Sequence, residues 1–399
     1  MRTVKLSQLS VIKGGIPAPK QTVAIGNIPF VRMRELGDVH LSPAFYPEQE
    51  FLTESDEKNF KSKFIDSGAI LFPRSGSVHL NHRAHLETKA AIVSHIAALI
   101  PNQDVDSLFL YYLMTAYDMT EIMTQTTGLN MIKFSQLADV EFKIPDTLPE
   151  QIKIAEILLT VDQAIEQTEA LIAKQQHIKT GLMQDLFTHG IDENGILRSE
   201  GTHEFKDCKD CLLGRIPIEW TPSQIGNVVT LQRGHDITEN ELRDGPYPVV
   251  SSSGIIGYHN QFTSQGPNVV VGRKGTIGEV HYLEHDFWAH DTSLYVTNFR
   301  GNNQRYIFYL FDYLDLARYG TKSGSPSLNR NDIHPLWIGL PSPDEQNQIV
   351  TILMECDHRL DSLNGVLRKL LYLKTGLIQD LLTGKKRVTV LLKGKEVNA

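Results

Sequence analysis

EQIKIAEILLTVDQAIEQTEALIAKQQHIKTGLMQDLFT, from Glu150 to Thr188, and EQNQIVTILMECDHRLDSLNGVLRKLLYLKTGLIQDLLT, from Glu345 to Thr383, are two copies of one stretch. Glu150 answers Glu345 and Lys179 answers Lys374, a constant offset of 195 residues. Steps of three and four pick out Ile154, Leu158, Val161, Ile165, Thr168, Ile172, Gln175, Lys179, Leu182 and Leu186 in the first copy. In the second they pick out Ile349, Leu353, Cys356, Leu360, Leu363, Leu367, Leu370, Lys374, Leu377 and Leu381. Both are heptad seams, the pattern of helices that bury one stripe against a partner helix. A helix of roughly 38 residues runs about 57 Å, so the pair reads as a spacer.

Lys179 and Lys374 fall on the seams. Their stems are expected to lie along the apolar stripe while the ammonium groups reach water. The segments KTGLMQDLFT and KTGLIQDLLT also repeat polar residues that a seam does not require. Lys179, Gln184, Asp185, Lys374, Gln379 and Asp380 therefore read as a surface that meets the same partner twice.

A chain of 399 residues is too long for one core and divides into several units. With 41% hydrophobic and 22% charged residues it has the composition of a soluble globular protein. It holds no apolar run of membrane-spanning length and no signal-peptide hydrophobic region, so no membrane association and a cytoplasmic location are expected. Cys356 lies on the second seam, where it reads as a small buried hydrophobe, and Cys208 and Cys211 read as linker residues without a metal. The net charge is −8, which argues against phosphate binding unless the cations are clustered. They are clustered: Arg2, Lys5, Lys13, Lys20, Arg32 and Arg34 occupy residues 1–34 without an acid, and Arg318, Lys322 and Arg330 occupy 317–330 likewise.

In chain order the sequence reads as a mixed α/β globule (1–146), a long helix (147–190), a Gly- and Asp-rich linker (191–219), a second mixed globule (220–342), a second long helix (343–384) and a tail (385–399). The first globule is expected to hold a β-rich stretch from Val23 to Arg34, a strand over Gly68–Phe72 and a helix over Asp106–Met123. The globules echo one another. Ser7–Leu9 (SQL) answers Ser223–Ile225 (SQI), ILFPRSGSV (Ile70–Val78) answers VVVGRKGTI (Val269–Ile277), His95 with Leu99 answers His290 with Leu294, and FKIP before the first helix answers IGLP before the second. The molecule is a duplicated unit of globule and helix.

Arg74-Ser75-Gly-Ser77 and Arg273-Lys274-Gly-Thr276 each follow an apolar strand with a cation, a glycine and a hydroxyl. That set suits a phosphate or a base edge, since arginine can donate two parallel hydrogen bonds to guanine; the plainer alternative is a hairpin turn. Ser251, Ser252 and the segment around Lys322, Asn329 and Arg330 are further candidates, as are Lys20, Arg32 and Arg34. His79, His82 and His85 read as surface histidines. No phosphate loop, dinucleotide fingerprint, HExxH or nucleophile elbow is present, so no catalytic residue is expected.

Two dissimilar globules, each followed by a helix that opens with EQ and closes KTGLxQDLxT, with a linker ending LGRIPIEW (Leu213–Trp220), resemble the DNA-specificity subunit of type I restriction-modification systems, a phage-defence family. The resemblance spans essentially the whole chain. It implies an α+β fold of two mixed α/β target recognition domains separated by an antiparallel coiled-coil pair, with an internal pseudo-two-fold duplication. It also implies double-stranded DNA as ligand, each domain reading half of a split sequence. Two methyltransferase subunits would dock on the helices and restriction subunits would join them. S-adenosylmethionine, ATP and magnesium would then belong to those partners and no cofactor to this chain. The other readings are the specificity subunit of a methylation-only system, a coiled-coil adaptor whose globules bind protein, and a stand-alone nuclease or methyltransferase.

Overall fold

Two helices carry the architecture: Leu148–Thr188, of 41 residues, and Pro343–Leu382, of 40. They occur in a computed structural model that describes residues 1–36, 43–80, 82–126, 129–212, 214–321 and 326–393. The chain forms two compact units, 1–172 with 363–399 and 173–362. Each unit thus contains one globule, half of the helix that follows it and half of the other long helix. Among the described residues no helix is long and apolar enough to cross a membrane.

The seam residues read from periodicity are all buried or half-buried. In the first unit Ile154 and Leu158 enter one core with Leu381 and Leu382 of the other helix and Phe72, Leu99, Phe109 and Tyr112 of the globule. In the second unit Met183, Leu186 and Phe187 join Ile349, Leu353, Val271, Leu294, Tyr306 and Tyr309. Within each unit the helix segments run antiparallel. Glu150 meets Arg387, just past the end of the second helix, and Asp162 meets Lys374, both at 2.6 Å, so advancing along one helix means retreating along the other. Lys179 meets Asp357 at 2.6 Å, while Glu345 accepts from the Ile191 amide at 2.9 Å.

Those ion pairs correct the expectation for the seam lysines. Lys374 reaches Asp162, whose side chain is only 2% exposed and also accepts from the Tyr112 hydroxyl at 2.7 Å. Lys179 reaches Asp357, which accepts from the Tyr309 hydroxyl at 2.5 Å. Burial, and then the neighbouring carboxylate, push both tyrosine pKa values up. Both ammonium groups are therefore committed inside the chain; the buried Asp162 carboxylate needs a cation and hydrogen bonds to replace water, and the half-buried Asp357 is paired in the same way. Of the other residues read as a docking surface, Asp380 pairs with Lys386 at 2.9 Å, Gln184 and Gln379 are exposed, and Asp185 is half-buried.

The globules share one plan. In the first sheet Ser10–Gly14 pairs with Ile96–Pro101, which pairs with Ile70–Pro73; in the second Thr230–Arg233 pairs with Ser293–Asn298, which pairs with Asn268–Gly272. A parallel pair lies beside each: Phe30–Val31 with Ala91–Ile92, and Tyr247–Ser251 with Trp288–Ala289. Only Phe30–Val31 of the expected β-rich stretch is a regular strand, and Met33–Leu36 is a helical turn. The helix expected over Asp106–Met123 ends at Ala116 and is followed by a 3-10 turn, Met119–Ile122. Asp106 and Asn303 cap matching helices, Ser107–Ala116 and Gln304–Leu314. The amides of those caps are taken by Gln151 and Gln346, each at 3.0 Å. That bond explains the repeated EQ: the glutamine ties globule to long helix, and the glutamate receives an arginine.

The stretch from His189 to Glu219 is folded onto the second unit. Arg198 pairs with Glu345 at 2.6 Å, Trp220 Nε1 donates to the same carboxylate at 3.1 Å, and Phe205–Asp207 pairs with Arg215–Pro217. Cys208 and Cys211 form a disulfide packed with Ile216, Trp220 and Trp337, so they belong to a small core rather than to an open linker. Gly190, at φ +65°, ends the first long helix; a Cβ there would come within 2.2 Å of Glu345 and 2.5 Å of Trp220. Left-handed backbone and lack of space both demand glycine.

Asp162→Ala should destabilise the chain by about 3 kcal/mol, since it strands Lys374 and Tyr112. The apolar triple variant Asp162→Leu, Lys374→Met, Tyr112→Phe should recover most of that loss. Equilibrium urea unfolding of the full chain measures both, and a single variant as stable as wild type would contradict the assignment.

Candidate nucleic-acid interface

The repeated Arg-x-Gly segments are held by backbone bonds that match one for one. The amide of Arg74 donates to the His95 carbonyl and that of Arg273 to the Thr292 carbonyl, both at 2.8 Å. The carbonyls of Arg74 and Arg273 accept from Ile132 and Leu328, both at 2.9 Å. Gly76 and Gly275 follow at φ +80° and +81°, a left-handed turn that glycine adopts without strain. These bonds set the true correspondence between the globules and revise two echoes. His95 answers Thr292 rather than His290, and Val93 answers His290, since Ile16 bridges to Val93 as His235 bridges to His290. Leu6, whose amide donates to Val140 at 2.8 Å, answers Ile225, whose amide donates to Leu336 at 2.9 Å. The SQL and SQI segments are thus three positions out of step.

In the second unit Arg273 and Arg330 line a cleft of about 690 Å³ with Arg233, His235, Asp291 and Asn329. Asp291 organises it: its carboxylate accepts from Arg233 at 2.6 Å, and its carbonyl accepts from Arg273 Nη1 at 3.3 Å. Burial raises the Asp291 pKa, but the Arg233 bond and the charges of His290, Arg233 and Arg273 outweigh it and hold the carboxyl below its ordinary value. Asp236, His290 and Asp291 bring ligand atoms within 4.8 Å of one another. Asp291 is already bonded to Arg233 and His290 Nδ1 to the Thr292 hydroxyl, so the group suits a guanidinium better than a metal ion.

Asn329 caps the turn Arg330–Ile333 with its side-chain oxygen, which accepts from the Asn331 amide at 3.2 Å. Lys274, Thr276 and Arg330 are exposed. Ser251 and Ser252 are each 6% exposed. The Ser251 hydroxyl is used in its own turn, bonding the Gly254 carbonyl at 3.1 Å. A hydroxyl at a strand end readily satisfies nearby backbone in this way, and Ser252 is held through its main chain, its amide donating to the Thr292 hydroxyl at 3.3 Å. Lys322 lies outside the described residues.

In the first unit Arg74 stacks on Phe134 at 4.5 Å and the Ser75 hydroxyl bonds His95 Nδ1 at 2.8 Å. Ser77 lies in the following 3-10 turn. Lys20 is exposed in a loop. Arg32 and Arg34 both pair with Glu50, at 2.7 and 2.5 Å, and Arg2 and Lys5 pair with Asp104 and Asp139. The acid-free N-terminal run is therefore largely offset by acids brought from elsewhere in the fold. Of the three histidines read as surface residues, His85 is buried between Glu87 and Ser107. Arg233, His235 and Asp291 escaped the sequence reading, although Gly234 carried a signal: its Cβ would lie 2.1 Å from the His290 carbonyl, as that of Gly15 would lie 2.2 Å from Val93.

Paired globules with matched, cation-bearing loops, each tied to a copy of one repeated helix, define an internally duplicated two-domain protein. The model of the type I restriction modification DNA specificity domain matches residues 1–175 and 217–372, and the chain belongs to that family. A putative type I restriction enzyme MjaX specificity subunit from Methanocaldococcus jannaschii is 23% identical over 95% of this chain and 92% of its own length. The type I restriction enzyme EcoprrI specificity subunit of Escherichia coli is 26% identical over 38% of this chain, a match that spans 39% of that protein. The fold is that of the type I restriction-modification S subunit from M. genitalium, with a TM-score of 0.62, 16% identity and 96% of each chain covered. A chain from a study of complex assembly and conformational transition of the type I R-M system gives 0.58 at 12% identity, over 96% of this chain and 98% of that one.

One contact beside the cleft titrates. His334 Nε2 accepts from the Leu231 amide at 3.0 Å, and burial, then Arg330 and Arg300, lower its pKa from 6.5. The unfolded chain therefore binds the proton first as pH falls. The stabilisation is present above the ordinary histidine value and is lost as pH drops through the depressed one. Between about pH 8 and pH 5, wild type should lose stability relative to His334→Gln, measured by urea midpoints; parallel curves would contradict this.

Proposed function

We propose that this chain is the DNA-reading component of a type I restriction-modification complex. Each globule binds one half of a split sequence in double-stranded DNA, and the long helices act as a coiled-coil spacer that fixes the unread gap. Two methyltransferase subunits dock on the helices and supply S-adenosylmethionine. Restriction subunits, with ATP and magnesium, complete the cytoplasmic assembly, and this chain contributes recognition without catalysis.

The observation that carries this reading is the repetition of one joint in both units, Tyr112–Asp162–Lys374 and Tyr309–Asp357–Lys179. A joint that fastens globule and both helices together transmits helix length to the position of each reader. The readers support it chemically: arginines beside glycine turns suit phosphates and guanine edges. Leu371, Tyr372 and Leu373 on the second long helix are 43%, 80% and 49% exposed, an apolar stretch suited to a protein partner.

Inserting seven residues after Ala173, matched by seven after Ser362 so that the antiparallel seam stays in register, lengthens the pair by about 10 Å. Single-molecule mapping of methylated adenines, in cells carrying the variant with its methyltransferase, should return both half-sites unchanged with a gap wider by about three base pairs. An unchanged gap, or altered half-sites, would contradict the spacer role.

A further inference from the structure

The two readers share a frame but not its side chains. Gly14 sits opposite Ala97 in the first sheet where Arg233 sits opposite Leu294 in the second. Phe134 opens the short helix Phe134–Ala138 where Arg330 opens Arg330–Ile333. Each follows by two residues the amide, Ile132 or Leu328, that bonds the carbonyl of the framework arginine. By the same bonds Ser94 stands where Asp291 does. The framework arginine is common to both globules, and its flanks differ completely.

We infer that these flanks determine the bases read: Arg233 and Arg330 make the second globule a reader of guanine–cytosine pairs, and Gly14 and Phe134 in their places give the first globule a different half-site. This rests on the DNA-binding role proposed above. The second cleft is lined by three arginines, Arg233, Arg273 and Arg330, with Asp236 and Asp291. Guanine shows two acceptors in the major groove, which a guanidinium meets with two parallel donors. Arg233 is already tied to Asp291 at 2.6 Å, which orients it before binding and lowers the ordering cost. In the first unit the Arg74 guanidinium lies over the Phe134 ring at 4.5 Å. A Cβ on Gly14 would touch that ring at 3.6 Å and Arg74 Nη1 at 4.0 Å, so the position adjoins the arginine–phenylalanine pair and its side chain bears on how the guanidinium is flanked. One arginine beside an apolar ring suits a guanine next to a thymine methyl, not a run of guanines.

The test is a genome-wide methylation map of the co-expressed complex for wild type, Arg233→Lys, Arg330→Lys and Phe134→Ala. Each lysine variant keeps the charge and loses the two-donor fork. In each, one half-site should relax at a guanine–cytosine position, with discrimination there falling about 5- to 100-fold, while the other half-site keeps every base. Phe134→Ala should alter only the half-site that the lysine variants leave intact. A uniform fall in methylation with all bases retained would make these residues phosphate contacts or structural supports and overturn the inference. Relaxation of both half-sites by one variant would overturn it too. A wild-type map with no split target would instead defeat the DNA-reading proposal itself.

Discussion

A carboxylate buried between two helices is the constraint on which the rest depends. Asp162 lies where water cannot reach it, so it must find a cation and a hydroxyl, and both come from far along the chain: Lys374 from the second long helix and Tyr112 from the globule. An apolar seam alone tolerates sliding by a heptad, because one leucine packs much like the next. A charge on the seam tolerates no such slip, since a shift of one heptad leaves it unpaired in a low-dielectric setting. Register is thereby fixed by the most expensive contact in the helix pair. The same solution recurs at Asp357, with Lys179 and Tyr309.

In each globule the arginine turn is built from backbone. The framework arginines are held through their own amides and carbonyls, which leaves the guanidinium groups to be aimed by whatever flanks them. In one unit the flank is a carboxylate and further arginines; in the other it is an aromatic ring. Unlike surroundings for the arginine therefore require no unlike fold.

Much of this was legible in the residues because the helices repeat at one offset, and the seam Ile154, Leu158, Val161, Ile165 is what the periodicity implies. The seam lysines depart from that expectation for a physical reason. Periodicity places Lys179 and Lys374 on a stripe but says nothing of what faces them across the interface. The available signal was that Asp162 and Asp357 also stand 195 residues apart. The echoes between globules failed in register where loops differ in length, so matching His95 to His290 by letter missed the two-residue slip that the sheet bonds reveal. Arg233 and Asp291 were invisible because they lie 58 residues apart and meet only when strands pair.

The constancy of the offset is itself informative. It holds at 195 along the helices, yet Tyr112 and Tyr309 stand 197 apart and Leu6 and Ile225 stand 219 apart. Where main-chain bonds alone keep the shape, side chains and loop lengths can drift without cost to folding; where charged side chains keep it, a single inserted residue rotates a carboxylate away from its lysine. Divergence in such a molecule is channelled toward the side chains that flank the framework arginines and away from the charged contacts between the helices, so the surroundings of each arginine can change by a few exchanges while the helix register is inherited intact.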